Sequence, residues 1–102
     1  MGDGRTSAAA RMRPVVWSEE ARENLKAIQA YISEFNVTAA RRLALRLVDL
    51  ADSLATMPDR GRLIRPGVRE LTSIPPYIIR YAVLEGEVRI MTIRHSARKP
   101  ER

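Results

Sequence analysis

The feature that most constrains this chain is a change of periodicity at Met57-Pro58. Before that point apolar residues recur every three or four positions; after it they come in short runs punctuated by Pro and Gly. The first pattern belongs to helices and the second to strands and turns. Ala21, Leu25, Ile28, Ile32 and Phe35 fall on one face of a helix running to about Phe35. Ser18 is suited to cap it, because its hydroxyl can accept from a free backbone N–H. Glu19, Glu20 and Glu23 complement the positive end of the helix dipole. Asn36-Val37 breaks the pattern, and Thr38 reads as the cap of a second helix carrying Ala40, Leu43, Leu47, Leu50 and Leu54. So short a connection predicts an antiparallel helix hairpin. Proline at 58 then ends it, since helical geometry is disfavoured before proline.

Downstream, PDRGRLIRPG reads as a loop and Val68 to Ile74 as a strand. After Pro75-Pro76, YIIRYAVL forms a second strand, and Glu85-Gly86 a tight turn in which glycine supplies positive φ. EVRIMTIRH, Glu87 to His95, returns, and Val15–Trp17 is a brief first strand. The predicted fold is α+β: an N-terminal short strand and an antiparallel helix hairpin packed on a small antiparallel β-sheet.

A two-residue turn places Leu84 opposite Glu87 and Val83 opposite Val88. Alternation then puts Ile79, Tyr81, Val83, Val88, Ile90 and Thr92 on one face. Ile78, Arg80, Ala82, Leu84, Arg89, Met91 and Ile93 take the other. The first face suits the helices. The second mixes aliphatics with arginine, which makes a poor interior but a good docking surface. A shift of one residue would exchange the two roles.

The chain has 102 residues, enough for one domain, here placed at 15–102. Residues 1–14 read as a disordered leader without the apolar core of a signal peptide. There is no cysteine and a single histidine, which argues against a disulfide framework or a transition-metal site. No apolar run approaches a membrane span, and the expected compartment is the cytoplasm. Net charge is +6, and sixteen of the eighteen bases are arginine. Residues 60–102 hold ten bases and four acids, whereas residues 15–59 hold five bases and seven acids. The basic C-terminal portion should attract acidic partners. Plain nucleic-acid binding is the weakest of the functional readings, because the chain offers neither a basic recognition helix nor an aromatic platform.

Metal-free RNA cleavage needs a base, an acid and cations for the phosphate. His95 and Glu70 could supply the first two, and Arg80, Arg89, Arg94 and Arg98 the third. The plainer reading makes His95 a structural or partner-contact residue and Glu70 a salt-bridging surface residue.

The segments VVWSEEARENLKAIQAYI, AARRLALRLVDLADSLATMPDRGR, PGVRELTSIPPYIIRYAV and EVRIMTIRHSAR, in this order, resemble the RelE/ParE superfamily of type II toxin–antitoxin toxins. The wording is most similar to the ParE branch, often labelled plasmid-stabilisation proteins. The resemblance implies a cognate ParD-like antitoxin with an acidic amphipathic tail. It also implies one of two activities: inhibition of DNA gyrase, or ribosome-dependent mRNA cleavage. In the cleaving branch a catalytic arginine comes where this chain has Ile78, and a functional histidine and tyrosine come where it has Ser96 and Ala97. Those departures favour a non-catalytic toxin with no cofactor and no catalytic residue. The expected antitoxin- or target-binding residues are Ile78, Arg80, Arg89, Met91, Ile93, Arg94, His95 and Arg98. The mRNA interferase is the alternative.

Overall fold

A computed structural model of the chain describes residues 13–97. The expected leader therefore lies mostly outside the described residues, as does Arg98. Arg13 and Pro14 are described: the Arg13 N–H donates to the Ala55 carbonyl, and the Pro14 carbonyl accepts from Val88 N–H.

The elements run β1 (Val15–Trp17), α1 (Glu19–Ser33), α2 (Val37–Asp52), a 3-10 turn (Ser53–Ala55), β2 (Arg62–Arg65), β3 (Val68–Ile74), β4 (Tyr77–Val83) and β5 (Val88–His95). The five strands form one sheet in the order β1-β5-β4-β3-β2. Four of them are antiparallel neighbours, and β1 joins β5 in parallel. The sheet is thus mixed rather than purely antiparallel, because the chain enters it directly before turning into α1. Among the described residues no helix is long and apolar enough to cross a membrane.

The helix hairpin covers one face of the sheet. Its contribution is Ala21, Leu47, Ala51 and Leu54, with Leu25, Ile28, Leu43 and Leu50 partly buried around them. The sheet answers with Leu71, Ile74, Ile79, Tyr81, Val88, Ile90 and Ile93. Each fully buried side chain of this size contributes roughly 1.5–3 kcal/mol by leaving water. Trp17 packs at the margin of this core.

Four local expectations are corrected. Phe35 is 72% exposed, because α1 ends at Ser33 and the helical spacing no longer carries to position 35. The cap of α2 is Asn36, not Thr38: its backbone is extended and its Oδ1 accepts from Ala39 N–H at 2.9 Å, the reach of a cap. The segment read as a loop contains β2, an edge strand paired with β3. Its turn, Pro66-Gly67, uses proline's fixed φ and a glycine at φ 78°, whereas Gly86 in the β4–β5 turn holds no positive φ.

The loop before β2 is pinned from beneath. The buried Tyr81 hydroxyl donates to the Pro58 carbonyl at 2.7 Å and accepts from Gly61 N–H at 2.8 Å. A side chain at position 61 would place its Cβ 2.7 Å from the Glu70 carbonyl oxygen, so only glycine fits there.

The decisive feature is a bulge in β5. The register runs as expected through Val83↔Val88, Ala82↔Arg89 and Tyr81↔Ile90. It then shifts, giving Arg80↔Thr92 and Ile79↔Ile93, with Met91 as the extra residue. The cause is visible on the other edge of β5. β1 is only three residues long, and after Ser18 N–H donates to the Ile90 carbonyl the chain becomes helix. Two side chains from the helical segment take over the strand's role. Ser18 Oγ donates to the Met91 carbonyl at 2.9 Å, and Asn24 Oδ1 accepts from Ile93 N–H at 2.9 Å. Bulges of this kind re-aim side chains.

Candidate partner-binding site

The bulge decides which residues the open face of the sheet presents. Ile93, expected on that face, is 2% exposed and sits in the core under the helices. Thr92, expected under the helices, pairs with Arg80 on the open side. Met91 stays on that side and is half-buried. Arg94 now stands opposite Ile78, so it too belongs to the open face. The correction has one physical reason: an inserted residue flips every side chain beyond it.

A second bulge, at Thr72-Ser73 in β3, has a matching effect. From the Ile74↔Tyr77 pair alone, Glu70 would face Tyr81; the bulge brings it opposite Arg80 instead. Arg62 of β2 lies opposite Glu70 on the other side. Three neighbouring strands thus place Arg62, Glu70 and Arg80 in one row, with Arg94 diagonal to it. Cross-strand neighbours of this kind are within side-chain reach.

Glu70 is the hub of this cluster. It is 8% exposed, the only charged residue in the buried set among the described residues. Arg80 donates to Glu70 Oε2 through Nε at 3.0 Å and Nη2 at 2.7 Å. Arg94 Nη2 lies 3.7 Å from the same oxygen, and Arg62 Nη2 lies 3.7 Å from Oε1. A carboxylate withdrawn from water is tolerated because cations and hydrogen bonds replace its hydration. Arg89 is different. It pairs with Glu87, two residues away, in an exposed contact worth little. With Arg65, whose partner Val68 stands opposite Ala82, the face offers five guanidinium groups against two carboxylates, interspersed with Ile78, Ala82 and Met91.

His95 lies elsewhere. It pairs with Tyr77, the two rings edge to face with centroids 5.4 Å apart, and its Nδ1 accepts from Ala97 N–H at 3.1 Å. Both belong to a groove of about 610 Å³ between α1 and the ends of β4 and β5, which Asn24, Ile28 and Tyr31 also line. The groove is on the helix side of the sheet. Glu70 and His95, the pair singled out in the sequence as base and acid, thus sit on opposite faces. Among the described residues no cluster of three His, Cys, Asp or Glu side chains has the makings of a metal site.

The sequence reading missed Arg62, because it took β2 for a loop, and it missed Glu70's central position. The signal was present in part. RELTSIPPYIIR places an acid and a base at nearly equal distances from the Pro-Pro turn. Only the bulge makes them meet.

The model of the ParE toxin of the type II toxin–antitoxin system, parDE, matches residues 15–100. The chain belongs to this family. The toxin is 53% identical over 87 residues to Toxin RelE2 of Caulobacter vibrioides, a match covering 85% of this chain and 99% of that one. It is 35% identical over 85 residues to Toxin RelE1 of the same organism, covering 79% and 90% of the two chains. It is 37% identical over 82 residues to Putative toxin Y4kP of Sinorhizobium fredii, covering 78% and 84%. In fold the toxin is similar to a chain of the chromosomal ParDE TA system from P. aeruginosa, with a TM-score of 0.71 at 24% identity over 83% of this chain and 97% of that one. Two helices on a five-stranded, mostly antiparallel sheet are therefore the expected family fold, and an antitoxin partner follows from membership of the family.

Proposed function

We propose that the toxin acts in the cytoplasm by binding and inhibiting DNA gyrase, without catalysis of its own, and that a ParD-like antitoxin neutralises it by covering the same open sheet face. The observation that carries this reading is the register, which puts Glu70 beside Arg80 on the open face and His95 beside Tyr77 on the other. Cleavage of a phosphodiester needs acid and base around one phosphate. Here the carboxylate is engaged by Arg80 on one face, while the imidazole lies in the groove on the other. What the open face does offer is half-buried arginine among aliphatic side chains, a surface complementary to an acidic amphipathic segment. Ile78, Arg80, Arg89, Met91 and Arg94 are its contact residues in this proposal; Ile93 supports it from the core.

A second reading is ribosome-dependent mRNA cleavage, favoured by the name RelE2 of the 53% identical relative. Two assays on the purified toxin separate the readings. We expect inhibition of gyrase supercoiling and intact mRNA in a coupled translation reaction. We also expect His95→Ala to inhibit gyrase as well as the parent does. Codon-positioned cuts that vanish in His95→Ala would establish the enzyme instead.

A further inference from the structure

The groove beside His95 holds hydrogen-bond donors that nothing in the fold uses. Ile93 N–H points away from β4, to Asn24 Oδ1 at 2.9 Å, and main-chain groups along a strand alternate sides. The His95 N–H is therefore turned the same way, and the next one, of Ser96, turns back to the Pro76 carbonyl beside β4. β1 pairs with β5 no further than Ile90, and no partner meets the His95 N–H among the described residues. Asn24 uses its amide oxygen on Ile93, which leaves both N–H groups of that amide available. His95 Nδ1 accepts from Ala97 N–H, so in the neutral ring the proton is on Nε2. Asn24 and His95 thus bring three donor groups to the groove, whose lining holds no Asp or Glu. The other walls are apolar or aromatic. Tyr77 stands edge to face with His95, and Tyr31, 55% exposed on α1, is steadied by Phe35 with ring centroids 5.4 Å apart.

We propose that this groove binds a small aromatic carboxylate, with its carboxyl oxygens on the Asn24 amide and the two His95 N–H groups and its ring against Tyr31, Tyr77 and Ile28. Its volume of about 610 Å³ lies within the roughly 300–1,000 Å³ of small-molecule sites. Donors with no acid beside them match an acceptor, and an ionised acceptor makes a hydrogen bond roughly twice as strong as a neutral one. Charge favours a carboxylate over a phosphate. A phosphate monoester brings about −1.5 to −2 charges at pH 7. Of the two bases in the lining, Arg94 is drawn to Glu70 on the open face, its Nη2 3.7 Å from the carboxylate, and the imidazole alone is left to face an anion. The free edge is also too short for an added protein strand. Ser18 and Asn24 already occupy the Met91 carbonyl and the Ile93 N–H, and β5 ends at His95, which leaves less than the roughly three residues of the shortest usual strands. The groove is on the helix side of the sheet, so the site is independent of what the open face binds.

The test titrates the isotope-labelled full chain with naphthoate and follows its amide signals by NMR. The His95 main-chain and Asn24 side-chain signals should shift together and saturate on one binding curve. Naphthoate should bind at least about tenfold more tightly than naphthamide, which has the same ring without the charge, the scale of one charge-assisted hydrogen bond. Cyclohexanecarboxylate, with the charge but no flat ring, should bind several-fold more weakly than naphthoate. Asn24→Asp is the discriminating variant. It keeps an oxygen for Ile93 N–H but replaces the amide donor by a negative charge. It should lose at least about tenfold for naphthoate while the Ile93 amide stays protected from exchange. Tyr31→Leu, at an exposed position, should lose several-fold for naphthoate and nothing for cyclohexanecarboxylate, and it decides alone if Asn24→Asp fails to fold. Equal binding of naphthoate and naphthamide would overturn the site. So would parent-like binding by Asn24→Asp, signals that move without saturating, or shifts confined to Arg80 and Arg89, the mark of a carboxylate condensing on surface arginine. Adenosine monophosphate moving the same signals at lower concentration than naphthoate would put a phosphate in the groove and refute the carboxylate.

Discussion

Ser18→Ala should cost far more than the loss of a helix cap. The Ser18 hydroxyl accepts from Ala21 N–H at 2.9 Å, capping α1, and donates to the Met91 carbonyl at 2.9 Å, holding the bulge of β5. Alanine removes both bonds at once. Loss of a cap costs about 1 kcal/mol. Leaving a part-buried carbonyl without a partner adds about 1–2 kcal/mol. The total is about 2–3 kcal/mol. In a domain of this size each kcal/mol lowers Tm by about 4–8 °C, so the expected fall is about 8–24 °C. Asn36→Ala is the matched control. Its side chain caps α2 through one exposed bond to Ala39 N–H, and its removal should lower Tm by only about 4–8 °C. Thermal melts by circular dichroism give both numbers. Amide exchange at Ile93, whose N–H reaches Asn24 beside the same bulge, should quicken in Ser18→Ala and not in Asn36→Ala. Equal losses of Tm, with Ile93 exchange unchanged, would mean that the Ser18–Met91 bond contributes nothing and that something else sets the register.

The bulge makes a second forecast, on neighbouring residues. Ile93→Ala should destabilise the fold by about 2–5 kcal/mol as a core truncation, while Met91→Ala, on the open face, should cost under about 1 kcal/mol; denaturant titration that returns the opposite order would restore the unbulged register. Tyr81 offers a test by pH. Burial pushes its phenol above the ordinary value near 10, an effect only partly opposed by the Gly61 N–H and the Arg69 charge. A folded-state value above the unfolded one means that the stabilisation is complete below about pH 10 and is lost as pH rises from there through the folded value. Tyr81→Phe should therefore be less stable by about 1–3 kcal/mol at neutral pH, having left the Pro58 carbonyl and Gly61 N–H unpaired. Its stability should also fall less between pH 10 and 11 than the parent's, and parallel alkaline profiles would refute the argument.

By itself the sequence determined the elements and the class of fold. Helix periodicity over Ala21–Leu54 and the short apolar runs at Val15–Trp17 and after Pro58 are local signals, and the helices and four of the five strands formed where those signals lay. The open-face arginine at 80 and the core residues Ile79, Tyr81, Val88 and Ile90 were legible for the same reason, since they lie close to the β4–β5 turn that starts the register. Tertiary structure alone decided the far end of the site. Where Met91 is inserted depends on Ser18 and Asn24, some seventy residues away along the chain, which satisfy a strand edge that β1 is too short to cover. That contact sends Ile93 inward and Arg94 outward. A second insertion in β3 brings Glu70 opposite Arg80, and an edge strand hidden in a Pro- and Gly-rich stretch adds Arg62. Alternation along a strand is a two-valued code, so one unpaired residue reverses everything beyond it, and no pattern in the strand's own residues announces the reversal.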